Sequence, residues 1–393
     1  VVVVTVKRET QGVVPSVTPY NSQMEGSLWS TRASFLVPLT GLILLVLTWG
    51  SEPSIPLAIF LVVAHISLVM MAVAHAEAIA HRVGEPYGTL VLALAVTVIE
   101  VSLIVTLMAT EGDKASTLAR DTVFAAVMIV CNGFVGLAIF VDARKDHIVE
   151  FSEQGANALL GTVMTITTLS LVMPNFTSSS EGATFSGSQL IFSAVSALAV
   201  YLVFVFVQTV RHRWMFLSPE ALEREAGNEF AHVDSHTPRS GRAEGLLIRS
   251  VFLLITLAGV IGLAKTLAPS IEDSVVWAGA PPSFVGVVIA LLVLLPEGIT
   301  ALRAASRGEM QTSLNLSLGS GLASIGLTIP AVAVATIWLD GPVTLGLGAK
   351  EIVLLALTAV VSTLTFGSGK ATILQGAQHL AVFAAFLFLA VVP

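Results

Sequence analysis

The stretch IALLVLLPEGITAL, residues 289–302, sets a proline, a glutamate and a glycine inside a run of aliphatic residues. Glu297 therefore sits where the surroundings are lipid or the dry interior of a helix bundle. A charged side chain at the centre of a membrane helix costs about 2.5–3.5 kcal/mol on insertion scales. Such a residue calls for a reason. The rest of the chain shows which solvent it lives in. Of 393 residues, 55% are hydrophobic and 11% are charged, with a mean hydropathy of +0.88. Soluble domains carry about 25% charged residues. This chain lacks the charge to cover a water-facing surface of its size, so it reads as an integral membrane protein.

Apolar segments of spanning length recur eleven times, near residues 34–50, 56–80, 88–110, 121–142, 157–174, 189–210, 248–268, 281–303, 311–337, 343–366 and 375–392. Continuous runs of about twenty residues argue for helices and against a barrel, whose strands alternate in polarity. The expected fold is an all-α polytopic membrane protein. With the N-terminus in the cytoplasm, fifteen of the Lys and Arg residues fall on the cytoplasmic side and four, Lys114, Arg120, Lys265 and Lys350, on the other. That bias predicts N-in, C-out in the cell's inner membrane. Residues 1–33 read as a mobile tail, not a signal peptide, because the short apolar run precedes the charges. Residues 34–210 and 248–393 form two membrane portions, joined by a polar cytoplasmic linker at 211–247. Within that linker, Ser218 is placed to cap a short helix. Its histidines read as part of a plain hydrophilic connection. Cys131, the single cysteine, excludes an internal disulfide or thiolate cluster and reads as packing.

A second glutamate repeats the opening pattern. The third span, GTLVLALAVTVIEVSLIVTLMA, carries Glu100 near its middle. It precedes the Glu297 span by five spans, an odd offset, so the two helices cross the bilayer in opposite directions. Spans two to six and seven to eleven thus read as two five-helix repeats of inverted topology after an extra first helix. Each glutamate helix is followed by one with polar residues at similar depth: Asn132 in AAVMIVCNGFVG, and Asn315, Ser317, Ser320 and Ser324 in SLNLSLGSGLASIG. Internal symmetry of this kind points to a secondary transporter with its site at the repeat interface. Desolvation favours a protonated carboxyl, while an arriving cation favours the ionised form. Two such groups close together titrate as one unit. Carboxylates, carbonyls and amides are the oxygen donors that hard cations such as Ca2+ take. Protons and a cation then compete for one place. The bland alternative, two protonated glutamates serving only as interhelical hydrogen bonders, also accounts for the pair.

Other residues enter as candidates. Pro296 removes a backbone donor and is expected to break the helix locally, freeing carbonyl oxygens toward an ion. Thr97, one turn before Glu100, can bond to that carboxyl or to its own backbone. Asn132 is expected to line the ion path and ligate the cation, as is Ser320 or Ser324; for the two serines, helix packing through the small residues around them is the competing account. His75, Glu77 and Glu85, toward the cytoplasmic end, are candidates for a proton relay, against an interfacial charge network as the plainer reading. Ser362, Thr363, Thr365, Gln375, Gln378 and His379 are expected at most to support the site from outside it. No phosphate-binding loop, HExxH, dinucleotide fingerprint or triad is present, and no basic aromatic surface suggests nucleic acid. The reading is a transporter that is not an enzyme and has no resident cofactor.

Three blocks, GEPYGTLVLALAVTVIEVSLIV at 84–105, LLVLLPEGITALRAASRGEMQTSLNLSLGSGLASIGLTIP at 291–330 and ILQGAQHLAVFAAFLF at 373–388, resemble the bacterial calcium/proton antiporters. These sit within the cation/calcium exchanger superfamily, and the likeness is greatest to its sodium/calcium–proton branch. The resemblance implies a preceding helix, five plus five inverted helices, and a site between the glutamate helices. It matches Glu100 and Glu297 to the family's two acidic positions, and puts Asn132 and Ser320 near the polar positions that follow them. Many family members carry a Gly–Asn pair shortly before the first glutamate. Here the residues are TVIE, 97–100, which resembles members that move sodium or potassium as well as calcium. The expectation is a Ca2+/H+ antiporter that exports Ca2+, with Na+ or K+ as further cargo. A monovalent Na+(K+)/H+ exchanger on the same scaffold is the alternative. A cation channel, or a structural or proton-sensing protein without turnover, is the reading of another class.

Overall fold

A computed structural model describes residues 33–51, 53–83, 95, 97–102, 104–106, 108, 116–217, 242–281, 283–338 and 343–392. The chain is an all-α polytopic membrane protein apart from two three-residue strands. Among the described residues nine helices are long and apolar enough to cross a bilayer, and two shorter apolar helices accompany them. The elements in chain order are α1 (Ala33–Thr48), α2 (Ile55–Val83), α3 (Thr97–Thr106), α4 (Leu118–Met128), a π-helical turn (Ile129–Phe134), α5 (Val135–Asp146), β1 (Ile148–Glu150), α6 (Glu153–Thr167), α7 (Gly187–Phe206), α8 (Arg242–Trp277), α9 (Phe284–Ser306), α10 (Met310–Ala335), α11 (Ala349–Phe366), β2 (Lys370–Thr372) and α12 (Ile373–Val391). Helices are the solution because no water reaches the hydrocarbon to bond with a bare backbone. Large apolar side chains such as Val46, Ile59, Phe192, Leu254, Leu364 and Phe388 point outward, as they do in a lipid solvent.

Two apolar cores divide the molecule. The smaller is a sheaf of α1, α2 and α8, filled by Leu45, Leu61, Leu68, Leu257, Val260 and Leu263, and joined at its edge by Ala95, Ile99 and Val293. Glycines set its spacing: a Cβ on Gly41 would lie 2.5 Å from Leu68, and one on Gly262 would lie 2.4 Å from Leu45. One polar clip explains itself from the sequence. Pro38 has no N–H to offer the Ser34 carbonyl four residues back. His75 Nε2 donates to that carbonyl instead, at 3.0 Å. The larger core spans α4 to α7 and α9 to α12.

The larger body is latched at both ends of α6. At one end β1 and β2 pair antiparallel, Val149 opposite Ala371, with Phe151 N donating to Gly369 O at 3.0 Å. This joins the α5–α6 connection to the α11–α12 connection. At the other end Thr184 bridges Thr344, and Gly346 N donates to Ala183 O at 2.9 Å. This joins the α6–α7 connection to the α10–α11 connection. Helix contacts come in matching pairs as well: α10 packs on α7, and α12 on the π turn and α5. The start of α7 and the start of α12 share one device. Gln189 Oε1 accepts from Ser186 N at 2.9 Å, and Gln375 Oε1 accepts from Thr372 N at 2.9 Å, the reciprocal arm of a capping box.

Two local expectations are corrected. Helix α9 runs unbroken through Pro296. The irregular backbone lies instead at the π turn of residues 129–134, where neighbouring helices hold the widened turn. The segment 343–348 is extended, not helical, because it makes the Thr344 latch before α11 begins at Ala349.

Candidate functional site

Helix α3 carries Glu100 into the interior, where only 2% of it is exposed. Ser324 Oγ of α10 donates to Glu100 Oε2 at 2.5 Å. The other oxygen, Oε1, is buried and has no hydrogen bond among the described residues. Thr328, one turn past Ser324, is fully buried on the same helix. Thr97 Oγ1 is also buried and bonds neither to Glu100 nor to its own backbone. One carboxylate thus stands among neutral hydroxyls, a surrounding that accepts a proton or offers oxygen to a cation.

Glu297 belongs to α9, which packs against α2, α4, the π turn and α10. The residue is half-buried, and its Oε2 is buried. Ile99, the residue before Glu100, and Val293, one turn before Glu297, share the edge of the sheaf core. Helices α3 and α9 therefore both border the sheaf core. Gly298 fixes the approach on the far side: a Cβ there would sit 2.3 Å from the Phe134 ring. Phe134 ends the π turn, so the irregular backbone bears on the turn that carries Glu297.

Asn132 is wholly buried and faces the opposite way. Its Nδ2 donates to Thr358 Oγ1 at 2.9 Å, and Oδ1 lies 3.3 Å from His379 Nδ1. His379 Nε2 lies 3.1 Å from Thr365 Oγ1. The Asn132 side chain is tied to α11 and α12. Ser320 is half-buried one turn before Ser324. Asn315 Nδ2 donates to Phe216 O at 2.6 Å, and Gln311 Oε1 accepts from Ser152 N at 2.7 Å. Those two amides pin connecting segments to α10. His75 holds α1 as described. Glu77 lies on α2 with its side chain outside what the structure describes, and Glu85 and residues 218–241 lie outside the described residues altogether.

Sequence reasoning passed over Thr328 and Ser313, whose buried hydroxyls, like that of Ser317, have no hydrogen bond among the described residues. The available signal was their spacing. Residues 313, 317, 320, 324 and 328 recur at three or four, one face of a helix. Among the described residues no three His, Cys, Asp or Glu side chains converge into a metal-ligating group.

A polytopic helix bundle with one glutamate fully buried and a second half-buried, each on an apolar helix bordering the same core, has the make-up of a secondary transporter, and the family it falls in is one of transporters, not enzymes. The chain belongs to the sodium/calcium exchanger protein family, whose model matches residues 53–210 and 249–392, within the cation/calcium exchanger superfamily. It is 41% identical over 370 residues to the putative ionic transporter y4hA of Sinorhizobium fredii, covering 93% of this chain and 96% of that protein. It is 36% identical over 362 residues to the sodium-potassium/proton antiporter ChaA of Escherichia coli, covering 91% and 95%. The solved structure of native YfkE shares the fold at 19% identity, with a TM-score of 0.66 over 92% of this chain and 100% of that one. This chain is a secondary active cation antiporter.

Proposed function

We propose that the protein exchanges cytoplasmic Ca2+ for external protons, with Glu100 and Glu297 alternately protonated and cation-bound. The observation that carries this reading is the buried Glu100 carboxyl held by Ser324 with its second oxygen left over. Ser324, Thr97, Ser320 and Thr328 supply neutral oxygens beside it, and Asn132 supports the site from the π turn. The cation supplies the positive charge that favours the ionised carboxylates, and its departure favours reprotonation. His75, Glu77 and Glu85 are the candidate proton entry.

The architecture behind this reading is one extra helix, α1, and two halves of five, with inverted topology. Counting α4, the π turn and α5 as one span, the halves are α2 to α7 and α8 to α12. Interchanging the halves turns the β1–β2 latch into the Thr184–Thr344 latch, which supports the symmetry. The surplus of basic residues on one side supports N-in, C-out in the inner membrane. Alternating access then moves the sheaf of α1, α2 and α8 against the latched body.

A second reading is Na+ or K+ in exchange for protons. The printed activity of the Escherichia coli relative and the absence of a Gly–Asn pair before Glu100 favour it. Proteoliposomes with an imposed pH gradient separate the two. Uphill uptake of Ca2+ but not Na+ or K+ supports the first, and the converse supports the second. Movement of any cation only down its own gradient means a channel, and no movement means a protein without turnover. Glu297→Gln is expected to abolish the exchange in either case.

A further inference from the structure

The polar group around His379 ties the π turn to α11 and α12. Thr358 Oγ1 donates to Leu354 O at 2.8 Å, so its oxygen accepts from Asn132 Nδ2. That fixes the amide with Oδ1 toward the imidazole. With its proton on Nδ1, His379 donates to Oδ1. Nε2 lies 3.1 Å from Thr365 Oγ1, which donates to Val361 O at 2.9 Å. The ring stacks on Phe366 at 6.3 Å between centroids. Every polar atom of the buried group has a partner.

The backbone is shaped to permit this contact. A Cβ on Gly136 would lie 2.9 Å from the Cβ of His379, and one on Gly376 would lie 2.9 Å from Phe140 N. Only glycine lets α12 press this close to α5. Two residues past Asn132, at the end of the same turn, the Phe134 ring rests on Gly298 with no room for a methyl group. Gly298 adjoins Glu297.

We propose that His379 is a positioning residue for the exchange site: its hydrogen bond to Asn132 holds the π turn, and Phe134 relays that position through Gly298 to Glu297. The assignment rests on Glu297 being part of that site. His379 touches no cargo. It sets the orientation in which the acid meets the ion, so its loss acts on apparent affinity more than on maximal rate.

The test measures KM and kcat for cation uptake in proteoliposomes with His379→Leu, His379→Gln, Asn132→Ala and the double variant His379→Leu/Asn132→Ala. His379→Leu is expected to raise KM about tenfold, the effect of leaving one buried acceptor unmade, with kcat within about twofold of the parent. Glutamine keeps an N–H for Asn132 and is expected to restore most of the affinity. The double variant is expected to be no worse than Asn132→Ala alone. A parental KM in His379→Leu, a loss confined to kcat or to protein yield, or additive effects in the double variant each overturn the proposal. Should the leucine variant fail to fold, His379→Asn, too short to reach Asn132, takes its place with the same expectations. Glu297→Gln in the same vesicles separates the two failures. Exchange that survives it overturns the site reading and this proposal together. Exchange abolished by it, with His379→Leu at parental KM, overturns this proposal alone.

Discussion

The sheaf of α1, α2 and α8 and the body beside it are both apolar inside, yet different forces hold them. The sheaf closes through leucines against glycines, with one polar clip at His75 and Ser34 and a Lys265 ammonium 5.6 Å from the Trp49 ring. The body adds strand pairing at one end of α6, a β-bridge at the other, capping boxes and the Asn132–His379 group. Dispersion contacts along a smooth seam survive a small slide, because each one is weak and non-directional. Directional hydrogen bonds do not survive it. Under the proposed exchange, the contrast assigns movement to the sheaf and the fixed frame to the body. The sparse hold on the Glu100 carboxyl fits the proposed role, since a group that releases one ion and takes another cannot be saturated with permanent partners.

Substitutions can break or sharpen that contrast. Glu100→Gln should leave folded protein and remove exchange altogether, at least about a hundredfold, since an amide cannot trade a proton for a cation; vesicle flux measures it, and parental exchange would remove Glu100 from the site. Gly298→Ala comes next. A methyl group pressed on the Phe134 ring should cost about 1–3 kcal/mol of stability and lower exchange roughly tenfold, read by thermal unfolding in detergent together with flux. Ser324→Ala should change the cation affinity roughly fivefold while leaving unfolding nearly unmoved, because a typical hydrogen bond contributes about 1 kcal/mol. The smallest effects test the two bodies against each other. His75→Leu orphans the Ser34 carbonyl in the sheaf and should lower the unfolding temperature by a few degrees. Lys370→Ala, which removes an exposed pair with Glu150, should not change it measurably. Equal losses in those two variants would show that the clip and the latch carry similar weight.

Much of the fold was legible from composition and spacing. Runs near twenty residues name the spans, and Glu100 and Glu297 announce themselves because a carboxylate in hydrocarbon is costly wherever the chain leads. The hydroxyl row from Ser313 to Thr328 was legible as well, had its period been read. The error at Pro296 has a local cause. Proline forfeits one hydrogen bond, but packing on both sides keeps α9 straight, and no single-helix reasoning includes that packing. Asn132 shows the same limit. Its type says that it needs partners, while the partners, Thr358 and His379, are more than two hundred residues away.

The sequence by itself determined that this chain spans a membrane in many helices and sets a glutamate within each of two apolar ones. Those conclusions follow from solvation, which acts on each residue where it stands. Only the tertiary structure decided that Ser324 meets Glu100, that Asn132 turns toward α11 and α12, and that the backbone widens at residues 129–134 and not at Pro296. Those depend on which helix faces which, and close packing between distant segments sets that.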